Sequence, residues 1–435
     1  MTAGARPPVL VMKFGGTSVG GPEGRAHLVE HVRAERDGGL LPVVVVSAMG
    51  RLGDPYATDT LLALVEEGCC SAHERDLLMG VGEVVSAVVV ASLLNKGQIR
   101  ARALTGAEAG ILTDAVSGAA TPERVDAAPL MALLDEGVVP VVAGFQGIDG
   151  EGCLHTLGRG GSDTSACALG AALGARRVDI YTDVDGVFTA DPRVIEGARL
   201  LEAVTADELF QMARHGSKVV HTPAAELALR SGVDMRVRST FGAHEGTCVV
   251  PLDRFRPASV ATAVTTATGV TRLRARLPYV KDDPAAHMEV QTRAYRLMAD
   301  ASISIDMFTP MNDRLVFSVP TALADEARRL LASEGFEVAL RTGLGKVTLV
   351  GSGMHGVPGV MAHVAECLAE AGIDILQVAD SHATISVLLD EDDLVPAAQA
   401  LHRAFGLEKA PQERGNCYIG EETTGQTGRK AVCDD

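Results

Sequence analysis

The sequence predicts an α/β fold: a three-layer αβα sandwich followed by two smaller α+β units of ferredoxin-like order. Three observations carry that prediction. From residue 9 to 250, continuous apolar runs such as Pro42-Val-Val-Val-Val alternate with helical stretches, as in parallel strands covered on both faces. Beyond the boundary marked by 251–257 the elements shorten, and 345–408 reads strand, helix, strand, strand, helix. The 435 residues suffice for two or three domains with a large core.

In the first region strands are expected at 9–13, 42–47, 99–104, 138–143, 178–181 and 233–237, where the apolar runs are short and uninterrupted. Helices are expected at 22–36, 58–67, 73–95, 123–135, 163–173 and 205–214. Active groups then belong at the carboxyl ends of the strands. In the second region 262–342 reads as a helix near 294–301, strands at 303–307 and 314–319, and a helix at 323–334. The following unit has strands at 347–350, 374–379 and 383–388, with helices at 359–371 and 394–405. The tail 409–435 is polar and rich in Gly, Thr and Glu, which predicts disorder.

Composition excludes several classes. Lys plus Arg is 39 against 56 for Asp plus Glu, a net charge of −17, with no Trp and 3% aromatic residues. The chain lacks the basic surface and stacking platforms that nucleic-acid binding needs. The eight cysteines (69, 70, 153, 167, 248, 367, 417 and 433) form no CxxC pair and no zinc spacing, and read as reduced, as in a cytoplasmic protein. The N-terminal residues 1–10 hold no apolar core for a signal peptide. The apolar stretch 84–94 is about half the ~20 residues of a membrane span and reads as a buried helix. No membrane partner is expected.

Two glycine-rich turns point to anion chemistry. Gly158-Arg-Gly-Gly-Ser-Asp163 lies between a strand and a small-residue helix. Glycines admit a close backbone approach, the helix start adds free N–H groups, and Arg159 offers a two-pronged donor. An ordinary glycine-rich αβ connection fits this stretch alone equally well. The second turn, Lys13-Phe-Gly-Gly-Thr-Ser18, sets a cation at a strand end above Gly15 and Gly16. No G-x-x-x-x-G-K-[ST] occurs, so this is not a P-loop. Gly351-Ser-Gly-Met-His-Gly356 fits G-x-G-x-x-G, but Pro358 and the hairpin after it argue against a dinucleotide site.

KFGGTS, VVVSAMG, GE-x-x-S, GFQG, TLGRGGSDT, YTDVDGVFTADPR and GSKVVH occur in this order, and with them the chain resembles the aspartate kinases of the amino-acid kinase superfamily. The resemblance is specific over 9 to about 250, and looser over 262 to about 408, where it implies paired ACT domains. It implies a catalytic domain at 1–250, ACT units at 262–342 and 343–408, ATP with Mg2+ as cofactors, L-aspartate as substrate, an amino-acid effector and a homo-oligomer joined through the ACT units. Lys13, Gly15, Gly16 and Ser47 are then expected around the transferring phosphoryl group, with Asp163 organising Lys13 and Ser162. Arg159 would clamp the α-carboxylate and Glu83 the ammonium group, in a pocket completed by Thr58 and Phe145. Thr182, Asp183, Phe188, Arg193 and Lys218 form the expected nucleotide side. Ser304, Ile305, Asp306, Met354, Gly359 and Gln377 form the expected effector edges. No protein ligand for the metal is assigned, because magnesium prefers phosphate oxygens and water.

Two departures stand out. His221-Thr-Pro-Ala-Ala-Glu226 replaces a frequent HPRAVE, and His155 replaces a frequent threonine. Competing readings are a sibling carboxylate kinase, N-acetylglutamate kinase among them, and a catalytically silent ACT sensor subunit.

Overall fold

The computed structural model describes residues 6–66, 68–217, 219–250, 259–277, 284–354 and 356–409. The N-terminal region is built on an eight-stranded sheet in the order Ala203–Thr205, Thr247–Val250, Met235–Ser239, Arg177–Thr182, Val9–Phe14, Leu41–Val46, Val139–Ala143, Ala101–Leu104. The six strands from Met235–Ser239 to Ala101–Leu104 are parallel, and Thr247–Val250 turns antiparallel to its inner neighbour. Along the two central strands, Val9, Val11, Val43 and Val45 enter one core while Leu10, Met12, Val44 and Val46 enter the other. Side chains alternate across a strand, so an unbroken apolar run requires a helical layer on each face.

Helices Pro22–Asp37 and Ala72–Lys96 cover one face. Gly161–Ala172, Ala128–Asp135, Ala206–Arg214 and Thr222–Ser231 cover the other. Ala72–Lys96, at 25 residues, is long and apolar enough to cross a membrane by composition. It agrees with the expected helix at 73–95, and its Asp76, Gly80, Glu83, Ser86 and Val90 are buried in the domain. A capping box formed by Ser71 and Glu74 opens it.

Several expected elements differ: the helix near 294–301 spans Pro284–Asp300, the strand at 347–350 extends to Glu337–Val350, and that at 374–379 shortens to Gln377–Asp380. The helix at 58–67 is confined to Thr58–Leu62; Leu64 is 72% exposed, so no apolar stripe continues it. The helix at 123–135 divides into a strand, Pro122–Val125, and a helix, Ala128–Asp135, that starts at the Pro129 turn. Residues 122–125 pair with Ile111–Thr113 in a four-stranded sheet with Gln146–Ile148 and Leu154–Thr156. The strand at 303–307 is displaced to Asp306–Pro310, because 301–302 form the turn that ends Pro284–Asp300.

The C-terminal region is one antiparallel sheet of six strands: Asp306–Pro310, Arg314–Pro320, Ala263–Arg276, Glu337–Val350, Thr384–Asp390, Gln377–Asp380. Its two 14-residue central strands run through both ferredoxin-like units. Leu273 and Ala275 serve the core under Pro284–Asp300 and Thr321–Ser333. Val264, Val347 and Leu349 serve the core under Val360–Glu370 and Leu394–Ala404. The linear boundary at 342/343 therefore falls inside Glu337–Val350, and the second unit takes one strand from chain that precedes the first. Gly351 follows a strand whose partners are all antiparallel, which rules out a parallel dinucleotide-binding half at 351–356.

Buried polar groups join the two parts. Glu208 is fully buried; one carboxylate oxygen accepts from Thr205, and the other from the Thr262 hydroxyl at 2.6 Å and the Ser352 N–H at 3.0 Å. Thr189 and His402 bond at 2.9 Å, also buried. Glu208→Ala strands these donors, and we expect it to destabilise the chain by about 3 kcal/mol. Thermal melting checks this: a shift of several degrees is expected, and no shift contradicts the role given to Glu208.

Candidate active site

The site forms where the parallel strands end. Lys13 is the penultimate residue of Val9–Phe14, the strand at the centre of the sheet, and is buried. Its ammonium lies 2.5 Å from an Asp163 carboxylate oxygen, the two side chains being 11% and 4% exposed. Asp163 sits in the first turn of Gly161–Ala172, a helix whose first ten residues are buried. No side chain caps the helix start, and its first-turn Asp163 meets Lys13 there.

Close approaches fix this geometry. Gly15 donates to the Tyr181 carbonyl at 3.2 Å, and Ser47 donates to the Phe14 carbonyl at 3.1 Å. A Cβ on Gly16 would lie 2.9 Å from the carbonyl oxygens of Ala48 and Gly50, so only glycine lets the two loops meet. Gly144 likewise admits Ser162, whose Cβ lies 2.8 Å from where a Cβ of residue 144 would be. Phe145, at positive φ, donates its N–H to the Ser165 hydroxyl at 3.0 Å and packs on Gly161.

Glu83 enters from helix Ala72–Lys96. One carboxylate oxygen accepts the Ala48 N–H at 3.0 Å, and the other has no partner. Burial pushes its pKa up to about 8, against the smaller opposing effect of its backbone donors. Thr58 starts the short helix beside it, and the Tyr56 carbonyl packs against Gly82. Arg159 is exposed between Gly158 and Gly160, both at positive φ, and has no carboxylate partner among the described residues. Gly160 abuts His221 so closely that a Cβ would overlap the imidazole.

The nucleotide side is partly gathered. Thr182 and Asp183 close Arg177–Thr182, next to Gly15. Asp183 pairs with Arg51 at 2.8 Å. Phe188 bridges to Leu200, and Arg193 is held by Asp191 at 2.7 Å and largely exposed. Among the described residues, no hydrogen bond or ion pair joins either of them to Lys13 or Asp163. Lys218 lies outside the described residues.

Sequence reasoning missed a second ring of groups. Thr240 donates to the Thr182 carbonyl and bonds Ser18 at 2.6 Å, so the loop after Met235–Ser239 walls the nucleotide side. Asp76 is fully buried and accepts from Gly118 at 3.0 Å and the Thr156 hydroxyl at 2.6 Å. His155 stands against it and bonds Asp149 at 3.0 Å. Asp76 precedes Glu83 by seven residues, two turns along the same helix face, a spacing that could have revealed it.

The expected effector residues divide. Asp306 is engaged: Lys346 bonds it at 2.5 Å. Burial alone would raise its pKa, but the Lys346 ammonium and the Met307 N–H outweigh burial and hold it below the usual range. Gln377 donates to the Met307 carbonyl and to Thr309. Ser304 and Ile305 precede Asp306, outside the strand. Met354 is buried in the core below Val360–Glu370, and Gly359 is that helix's N-cap, so neither joins the Asp306 cluster.

Glu83 makes a pH signature. Its folded pKa is raised, so its contribution is complete below about 4.5 and is lost as pH rises toward about 8. Glu83→Gln stays neutral throughout. The melting temperature of Glu83→Gln minus that of the parent should therefore grow between pH 5 and pH 8 and level off above. A pH-independent difference contradicts a buried, protonated Glu83.

Comparison with known proteins agrees with this geometry. The amino acid kinase family model matches residues 8–239, and an ACT domain model matches residues 340–403. Aspartokinase 1 of Bacillus subtilis is 42% identical over 92% of this chain and all of its own length. The aspartokinase of Geobacillus stearothermophilus is 38% identical over 92% of this chain and 97% of its own. The structure of E. coli aspartokinase III in complex with aspartate and ADP superposes with a TM-score of 0.76 at 25% identity, covering 91% of this chain and 99% of that one. The chain belongs to the amino acid kinase family, as one of its aspartokinases.

Proposed function

We propose that Lys13 and the helix start at Gly161 carry the phosphoryl transfer from ATP to the side-chain carboxylate of L-aspartate in this aspartate kinase. A carboxylate oxygen attacks the γ-phosphorus, the bond to the β–γ bridging oxygen breaks, and ADP leaves with that electron pair. The product is 4-phospho-L-aspartate, an acyl phosphate. The nucleophile is already ionised near neutral pH, so the step needs charge neutralisation and alignment rather than a base.

The observation that carries this reading is the buried Lys13 ammonium, set beside Asp163 and an uncapped helix N-terminus. Lys13 offsets the charge of the converging anions, and Asp163 keeps its ammonium at the strand end. The Gly16 N–H and the Ser47 hydroxyl give donors to the phosphoryl oxygens, Ser162 adds an N–H, and Gly15, tied to the Tyr181 carbonyl, lets the phosphoryl group approach without a side chain in the way. Arg159 takes the α-carboxylate. Glu83 takes the ammonium, which favours its ionised form and expels a proton. Thr58 and Phe145 bound the pocket. Thr182, Asp183, Phe188, Arg193 and Lys218 hold the nucleotide, with Asp183 exchanging Arg51 for it. Magnesium carried by the triphosphate would supply charge neutralisation there, held chiefly by phosphate oxygens and water, with the Thr182 hydroxyl and the Asp183 carboxylate as the hard oxygen donors of the expected nucleotide side.

Amino-acid control belongs to the ACT units. An effector's ammonium displaces Lys346 from Asp306, with Ser304, Ile305 and Gln377 alongside. Lysine, diaminopimelate and threonine are the candidates. The edge strand Asp306–Pro310 carries exposed Phe308, followed by exposed Met311, which suits pairing with a second copy.

Hydroxamate trapping with ATP, magnesium and a panel of amino acids tests the assignment. Acyl phosphate is expected with L-aspartate. Preference for N-acetylglutamate, or silence with every acceptor, sinks it. Arg159→Lys should raise the aspartate KM at least tenfold while leaving the ATP KM within about twofold, since lysine keeps charge but loses the paired donors. Equal effects on both KM values would move Arg159 to another role. Asp306→Ala should raise the effector concentration for half-inhibition at least tenfold; unchanged inhibition curves contradict the effector role.

A further inference from the structure

The face of the C-terminal sheet opposite its helices is not flat. Its two edge strands meet, with Gln377 of Gln377–Asp380 bonding the Met307 carbonyl and the Thr309 hydroxyl of Asp306–Pro310. The curl forms a half-open cleft of about 310 Å³, lined in part by Arg272, Arg274, Thr309, Arg314, Leu376 and Gln377. Leu273 and Ala275 point to the helices, so Arg272 and Arg274 point the other way, into the curl.

The charges there are unbalanced. Arg272 is 4% exposed; its guanidinium gives one bond to the Leu376 carbonyl at 2.9 Å, and its buried Nε has no partner. Arg274 has no carboxylate partner among the described residues. Arg314 pairs with Asp313 and Arg341 with Asp390. No Asp or Glu lines the cavity. Burial first, then the like charges of Arg274 and Arg341, pull the Arg272 pKa down. A buried guanidinium missing a partner, with a second unpaired one beside it, costs free energy that an anion would recover.

We propose that this cavity is a binding site for a small dianion, a phosphate ester or a dicarboxylate, held by the unpartnered Arg272 Nε–H and the Arg274 guanidinium. Planar guanidinium donors match both oxyanions. The ligand clamps Ala263–Arg276 to Gln377–Asp380, strands of opposite units, next to the Asp306–Lys346 pair. The site is separate from the kinase centre and does not depend on the roles assigned there.

Isothermal titration of the full chain with inorganic phosphate and with malonate, at constant ionic strength, tests it. The kinase centre also attracts anions, so the comparison is between Lys13→Ala and the double variant Lys13→Ala/Arg274→Gln. Saturable binding of at least one anion to Lys13→Ala, weakened at least tenfold in the double variant, is expected. Which anion binds separates phosphate esters from dicarboxylates. Arg274 is exposed, and a melting curve checks that the double variant is folded; Arg274→Lys in the same background serves if it is not. No saturable binding to Lys13→Ala, or isotherms unmoved by the Arg274 change, overturns the proposal.

Discussion

The contact between Lys13 and Asp163 sets the rest of the site. It joins the central strand to the first turn of the helix that follows the Arg159 loop, at a separation of 2.5 Å in a nearly dry environment. Removing two charges from water costs about as much as their attraction returns, so the pair is a poor source of stability. Its effect is geometric. With the ammonium fixed, the glycine turn at 15–16, the Ser47 loop and the N-terminus of Gly161–Ala172 all face one volume. The glycines at 16 and 144 permit that convergence, because a Cβ at either would strike backbone or Ser162 atoms.

The proposed site is built from cations and N–H donors, and the histidine beside it, His221, packs on Gly160. Such a make-up follows from the chemistry. A carboxylate acceptor needs no deprotonation, and its approach to a triphosphate is opposed by charge. Glu83 is the exception, a buried acid with a bare oxygen. Its pKa, raised by burial, favours the neutral acid in the pocket, and on the proposed reading an arriving ammonium would shift it to the carboxylate. At the far end of the chain Asp306 is in the opposite condition, already satisfied by Lys346. An effector there competes with a side chain instead of filling a void. His215, at the end of helix Ala206–Arg214, lies close enough to feel both charges, and Gly216 touches Thr266 of the ACT sheet. The Asp306 pair therefore stands against the segment that leads to Lys218.

Much of this was legible in the chain because periodicity and motif order are local. The runs at 9–13 and 42–47 gave a sheet buried on both faces, and glycine-rich turns marked the strand ends. What failed depended on distant partners. Residues 122–125 are a strand only because Ile111–Thr113 lies beside them. The sharing of Ala263–Arg276 and Glu337–Val350 between two units has no local signature, since each half-strand looks complete. Arg51 and Thr240 are single polar residues whose roles exist only once segments 132 and 222 positions apart are folded together, whereas Asp76 is betrayed only by its two-turn spacing from Glu83.

The central claim is that Lys13 acts on the converging anions and not on the fold. Single-turnover kinetics of Lys13→Met, beside separately measured Kd values for ATP and aspartate and a melting curve, test it most directly. The account predicts a loss of about 10²–10³ or more in the chemical step, with a native-like melting transition and aspartate still bound. A variant that is folded, binds both substrates and turns over within tenfold of the parent would contradict it.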